Sequence, residues 1–141
     1  MQQLVEFIGN HPILATAWVI LAVLIIYSYI EGAFSPVKQL STREVTLLIN
    51  KEDGAVVDIR SKGDFKKGHI LGATHLAPEA VSTGDFSKLE KLKNKPIIVV
   101  CAMGMTAKRT ALQMLKAGFS QVTILKGGMG SWQAEGLPIK K

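Results

Sequence analysis

Residues 96–110 read PIIVVCAMGMTAKRT: an apolar run of strand length, the chain's single cysteine, a short loop containing Gly104, and a stretch that turns helix-forming. Nothing between Pro96 and Val100 is polar, which predicts a strand covered on both faces, as in a parallel sheet. Similar short apolar runs follow the same reading: AVVDI at 55–59, ATHL at 73–76 and VTIL at 122–125. Between them lie helical or turn stretches, namely DFKKG, DFSKLEKL, TAKRTALQMLKAG ended by Gly118, and GGMGSWQAEG ended by Gly136. Upstream, Ser41-Thr-Arg-Glu44 has the form of a capping box. It opens a helix expected to run to about Ile49, with Val45, Leu48 and Ile49 on one face. Strands alternating with helices define an α/β class with a mainly parallel sheet. In such sheets ligands sit beyond the carboxyl ends of strands, where Cys101 closes PIIVVC.

The front of the chain is different. From Phe7 to Ile30 there is no Asp, Glu, Lys or Arg, and PILATAWVILAVLIIYSYI supplies the length a bilayer needs. We expect a single transmembrane helix over about residues 11–30, within an N-terminal segment of residues 1–34. A cleaved signal peptide would want a basic start, a shorter apolar segment and a small-x-small site; MQQLVEFIGN has Glu6 and no cation. Gly32 and Pro36 break the pattern, so residues 35–40 are read as a linker and residues 41–141 as the globular domain. All 17 Lys and Arg follow the span, beginning with Lys38 and Arg43, which predicts a single-pass protein of a bacterial-type inner membrane with a cytoplasmic domain. One lone thiol suits that reducing side. After residue 30 the formal charge is +7 against +6 for the whole chain, which suits anionic lipid or small anionic substrates, or is simply a solvated basic face.

Cys101 itself admits two readings. Successive backbone N–H groups of a tight loop, together with the positive end of a following helix, favour a thiolate or a persulfide anion. Free cysteines are also common as small buried hydrophobes. His11, His69 and His75 form no ligand cluster: the first borders the apolar span and the others flank a turn where structural hydrogen bonds are expected.

Four stretches taken together carry a resemblance. VVDIR at 56–60, GDFKKGHILGATHL at 63–76, IIVVCAMGM at 97–105 and KGGMGSW at 126–132 resemble, in order and spacing, the rhodanese-like sulfurtransferase domain over about residues 40–139. The resemblance implies a small α/β domain around a five-stranded, mainly parallel sheet flanked by helices, with Cys101 as catalytic residue at the base of a loop ending at Thr106. It also implies that Ala102, Met103, Gly104, Met105 and Thr106 hold the substrate. A small anionic sulfur donor such as thiosulfate would load Cys101 as a persulfide, and a thiol, a protein thiol or cyanide would unload it. No metal or organic cofactor is implied, and nucleic acid is not expected as a partner.

Thr106 departs from that pattern, since many active members have arginine at the last loop residue, where a guanidinium meets an anionic donor bidentately. Lys108 and Arg109 follow, but are expected to point in directions other than that of Thr106. Asp58 and Arg60 lie near the site and are read as structural support, while Trp132 is read as core. Met103 and Met105 fit either an apolar mouth for a partner or loop methionines without a role. A cysteine phosphatase would need arginine at the sixth position after the cysteine, which is Ala107, and commonly histidine where Val100 stands. The remaining alternative is a weakly active module that binds a membrane or cytoplasmic protein, with Lys88, Lys91, Lys93 and Lys95 meeting lipid or partner rather than only solvent.

Overall fold

The computed structural model describes residues 1–33 and 35–141, with the backbone alone considered at 31–33. It divides into two units, Met1–Ser35 and Pro36–Lys141.

The first unit is helical. α1 (Gln2–Asn10) is followed by α2 (Pro12–Ala33), and the break falls at His11. Pro12 explains the break: its ring lacks an N–H, suits the first helical position and disfavours helical geometry in the residue before it. Leu4, Phe7 and Ile8 of α1 share an apolar cleft with Ala15 and Val19 of α2. Within α2, Pro12–Ile30 has a mean hydropathy of 2.4 and buries none of its apolar side chains. At ~1.5 Å per residue this stretch is about 28 Å long, close to the ~30 Å of a hydrocarbon core. It is one helix long and apolar enough to cross a membrane.

The second unit is built on a five-stranded sheet in the order β1-β6-β5-β2-β4, every pairing parallel. Its strands are β1 (Lys38–Leu40), β2 (Ala55–Asp58), β4 (Thr74–His75), β5 (Pro96–Val100) and β6 (Gln121–Leu125). A separate antiparallel pair joins β3 (His69–Ile70) to β7 (Ile139–Lys140). Lys38–Leu40, inside the stretch read as linker, is therefore the sheet's fifth strand and pairs with Thr123–Leu125.

Alternation along each strand sends side chains to opposite faces. Two short helices, α4 (Lys62–Lys67) and α5 (Pro78–Thr83), lie between β2 and β5, and Val57, Ile97, Val99, Val122 and Ile124 share one core with α6 (Ala107–Lys116), which contributes Ala107, Ala111 and Met114. The same core receives Leu89, from a 3-10 turn at Ser87–Leu92. On the other face, Val56, Ile98, Val100 and Leu125 pack with Val45 of α3 (Thr42–Glu52) and with Met129 and Trp132 of α7 (Gly128–Ala134). Both faces are covered, which is why the strands contain runs of apolar residues. Trp132 is core, and its Nε1–H donates to the Pro138 carbonyl at 3.1 Å.

The capping box forms as read. The Glu44 N–H donates to the Ser41 Oγ, while the Ser41 N–H and hydroxyl both donate to Glu44 Oε2, at 2.7 and 2.8 Å. Those two bonds, the backbone one first, hold the Glu44 carboxyl below its usual range.

Candidate functional site

Cys101 follows directly on β5, at the carboxyl edge of the sheet. It is 4% exposed, so a reagent reaches the sulfur only past the loop of residues 102–106. The Gly104 N–H donates to Cys101 Sγ at 2.8 Å. Among the described residues no other N–H bonds the sulfur, and the N–H groups of Ala102, Met103, Met105 and Thr106 donate to no protein acceptor. A concave loop of unused N–H groups is suited to hold an anion.

The loop keeps its shape because the start of α7 is docked against it. Met129 N–H donates to the Cys101 carbonyl at 2.8 Å and Gly130 N–H to the Ala102 carbonyl at 3.0 Å. The approach requires glycine twice. Gly104 has φ +86°, and a Cβ there would lie 3.0 Å from Gly127 N; Gly128 has φ +59°, and a Cβ there would lie 2.2 Å from the Cys101 carbonyl oxygen. The last contact is with backbone and has no flexible side chain to yield.

Asp58 and Arg60 form a buried pair at the end of β2. Arg60 Nε donates to Asp58 Oδ1 at 3.0 Å and Nη2 donates to Oδ2 at 2.7 Å, while Nη2 also reaches the Gly68 carbonyl at 2.8 Å. Asp58 is 1% exposed. Neither residue bonds Cys101. The histidines are engaged locally: His75 Nε2 lies 2.8 Å from the Arg60 carbonyl, and His69 Nδ1 lies 2.8 Å from the Phe65 carbonyl with its ring stacked on Phe65.

Beyond the loop's last residues opens a cleft of about 510 Å³, lined by Met105, Thr106, Arg109 and Gln113 facing Ile59 and Val81. Arg109 was expected to point away from Thr106, and the structure corrects that. Thr106 has helical φ and ψ of −85° and −18°, so the turn of α6 runs through it and a residue three positions on is its neighbour. Thr106, Arg109, Thr110 and Gln113 follow the i, i+3, i+4, i+7 spacing of one helix face, a signal the sequence carried. Met105, on the wall of the cleft, and Met103, outside its lining, are 85% and 71% exposed. Ala107, where a phosphatase would need arginine, is fully buried in the core.

The lysine run is partly engaged within the domain. Lys88 Nζ donates to the His75 carbonyl, Lys93 pairs with Glu90 and Lys95 with Asp53.

Fold and loop together define an α/β domain that presents one cysteine at the carboxyl edge of a parallel sheet. The chain belongs to the rhodanese-like domain family, which it matches over residues 41–135. It is 44% identical over 139 residues to the protein YibN of Escherichia coli strain K12, covering 99% of this chain and 97% of that one. Over 99 residues it is 33% identical to the thiosulfate sulfurtransferase GlpE of Pseudoalteromonas translucida, covering 69% of this chain and 90% of that one. Among solved structures, the rhodanese-like domain of Alr3790 from Anabaena superposes with a TM-score of 0.63 at 27% identity, covering 72% of this chain and 77% of that one.

The loop contact yields a prediction. Gly128→Ala places a methyl group against the Cys101 carbonyl and forces a left-handed backbone, which alone costs about 1–3 kcal/mol. Gly84→Ala at φ +71° has open space and carries only the backbone cost. Chemical unfolding of the full chain in detergent should show the larger loss for Gly128→Ala, and only that variant should change the rate at which Cys101 is alkylated.

Proposed function

We propose that this chain is a membrane-anchored sulfurtransferase that carries sulfane sulfur as a persulfide on Cys101 and passes it to a thiol or to cyanide. The observation that carries the reading is the Cys101 sulfur, bonded by the Gly104 N–H at the base of a loop whose other N–H groups have no protein acceptor. The thiosulfate sulfurtransferases among its relatives support it.

The step is a displacement at sulfur. The Cys101 thiolate attacks the outer sulfur of thiosulfate, the donor's S–S bond breaks, and its electron pair leaves with sulfite. The loop N–H groups stabilise the persulfide anion left on the enzyme. Cyanide or a thiolate then attacks the outer sulfur, the enzyme's S–S bond breaks, and Cys101 returns as thiolate. Thr106 offers no positive charge to a dianionic donor, so thiosulfate is a poor donor for this protein.

The apolar helix supports an anchor, and the placement of every Lys and Arg after it supports an inner-membrane protein with a cytoplasmic domain. A cytoplasmic thiol or protein thiol, with anionic lipid at the surface and a membrane protein beside the span, fits as the acceptor and neighbours.

Intact-mass spectrometry after incubation with thiosulfate should show one added sulfur atom, localised to Cys101 and absent in Cys101→Ser; a bare thiol under every sulfane donor would leave only a binding module. Native thiosulfate:cyanide turnover should be low and should rise in Thr106→Arg. A hydrogen bond to a charged group contributes about 1.5–3 kcal/mol, equivalent to about 10- to 150-fold in kcat/KM. Brisk native turnover, unchanged by the substitution, would show that other groups stabilise the leaving sulfite. A reporter fused after Lys141 should score cytoplasmic, and a periplasmic score would reverse the topology.

A further inference from the structure

The cleft beside the loop has room for an organic molecule, and two polar groups on its wall have no partner among the described residues. Arg109 is exposed on its wall and makes no ion pair among the described residues. Gln113 lies one turn further along α6, and its buried Oε1 has no hydrogen-bond partner among the described residues. An unsatisfied buried acceptor is costly, and a ligand donor is one way to satisfy it. The guanidinium on the same wall is suited to a carboxylate. Ile59, Val81 and Met105 supply apolar surface alongside.

We propose, building on the sulfurtransferase reading above, that this cleft selects the sulfur acceptor, and that the acceptor is an amino-acid-type thiol bearing both a carboxylate and an N–H donor. Arg109 binds the carboxylate and Gln113 Oε1 accepts from the N–H group, while the thiol sulfur points back along the loop toward Cys101. The acceptor, as thiolate, attacks the outer sulfur of Cys101–S–SH. The enzyme's S–S bond breaks, the transferred sulfur leaves with its hydrogen as R–S–SH, and the electron pair returns to Cys101 as thiolate. Arg109 and Gln113 are substrate-binding residues outside the loop itself, and they offer a cation one helical turn from where Thr106 lacks one.

Four acceptors separate the two contacts. Cysteine has both groups, 3-mercaptopropionate only the carboxylate, cysteine ethyl ester only the N–H donor, and ethanethiol neither. The full chain in detergent is loaded with sulfur, and kcat/KM for unloading is compared between wild type and variant, so that each acceptor's own reactivity cancels. Arg109→Ala should lower the value at least about tenfold for cysteine and 3-mercaptopropionate, with much smaller effects on the other two. Gln113→Leu should lower it for cysteine and the ester, with much smaller effects on 3-mercaptopropionate and ethanethiol. A similar loss for all four acceptors, or none for any, would overturn the proposal, since the residues would then act on the loop or not at all. Should no donor load Cys101, it is the sulfurtransferase reading that fails. Calorimetric titration of Cys101→Ser with S-methylcysteine then decides: binding lost in the Arg109→Ala background sustains the cleft assignment, and equal or absent binding overturns it.

Discussion

The hydrogen bond from Met129 N–H to the Cys101 carbonyl, 2.8 Å long, is the contact on which the rest of the site depends. β5 and β6 are parallel neighbours with Val99 opposite Ile124, so the turns that leave their carboxyl ends emerge side by side. One of those turns is the cysteine loop and the other leads into α7. They can touch backbone to backbone only where one of them carries no Cβ, and the pair Gly127–Gly128, both at positive φ, meets that condition. Strand adjacency thus sets the loop's position, and glycine permits the closeness. The GG-x-x-x-W pattern near the C-terminal end of the domain is therefore half of the cysteine loop's scaffold, with Trp132 buried one turn later as its anchor in the core.

A second scaffold acts from the other side. The Ile59 N–H donates to the Val100 carbonyl, and the Leu76 N–H donates to the Asp58 carbonyl, which ties the end of β2 to the residue before Cys101 and to the strand on its far side. Asp58, Arg60, the Gly68 carbonyl and His75 close this junction with buried polar bonds. Buried ion pairs are weak contributors to net stability because desolvation offsets their attraction, but losing one partner strands the other at about 3–5 kcal/mol. The pair's value here is positional, since Ile59, between its two members, lines the cleft beside the cysteine loop. Asp58 and Arg60 belong to the site's architecture without touching its sulfur.

The central strands, the class and the cysteine's place were legible because the signals are local and strong. A run such as Pro96–Val100 has no polar face, and Ser41 with Glu44 forms a cap whose two halves are both visible in sequence. β1 was not legible: Lys38 and Gln39 are exposed, and the strand is defined only by its long-range partner β6. β3 and β7 are two residues each and lie about 70 positions apart, too short for any period to register. The break at His11 was signalled by Pro12, but it lay within a uniformly uncharged run where composition masked it. The cleft was missed through phase. Lys108 and Arg109 were both expected to leave the direction of Thr106, but at about 100° per residue only Lys108 turns well away, while Arg109, three positions on, comes back toward that face.

That phase changes how the missing loop arginine is understood. An arginine at residue 106 would set its charge at the mouth over the sulfur, where it serves a compact dianion. The cation here is Arg109, on the same face but one turn along α6, and the exposed side chain of Met105 lies beside Thr106 on the cleft wall. In the proposed reading, charge displaced by three residues, about 4.5 Å along the helix, no longer stabilises a sulfite leaving from Cys101, but it can still hold the far end of a longer molecule whose sulfur reaches back. Coulomb attraction weakens with that separation, while a bidentate carboxylate contact at the new position keeps its full strength. On the reading proposed above, the same departure at Thr106 that disfavours thiosulfate favours an organic thiol carrying a carboxylate.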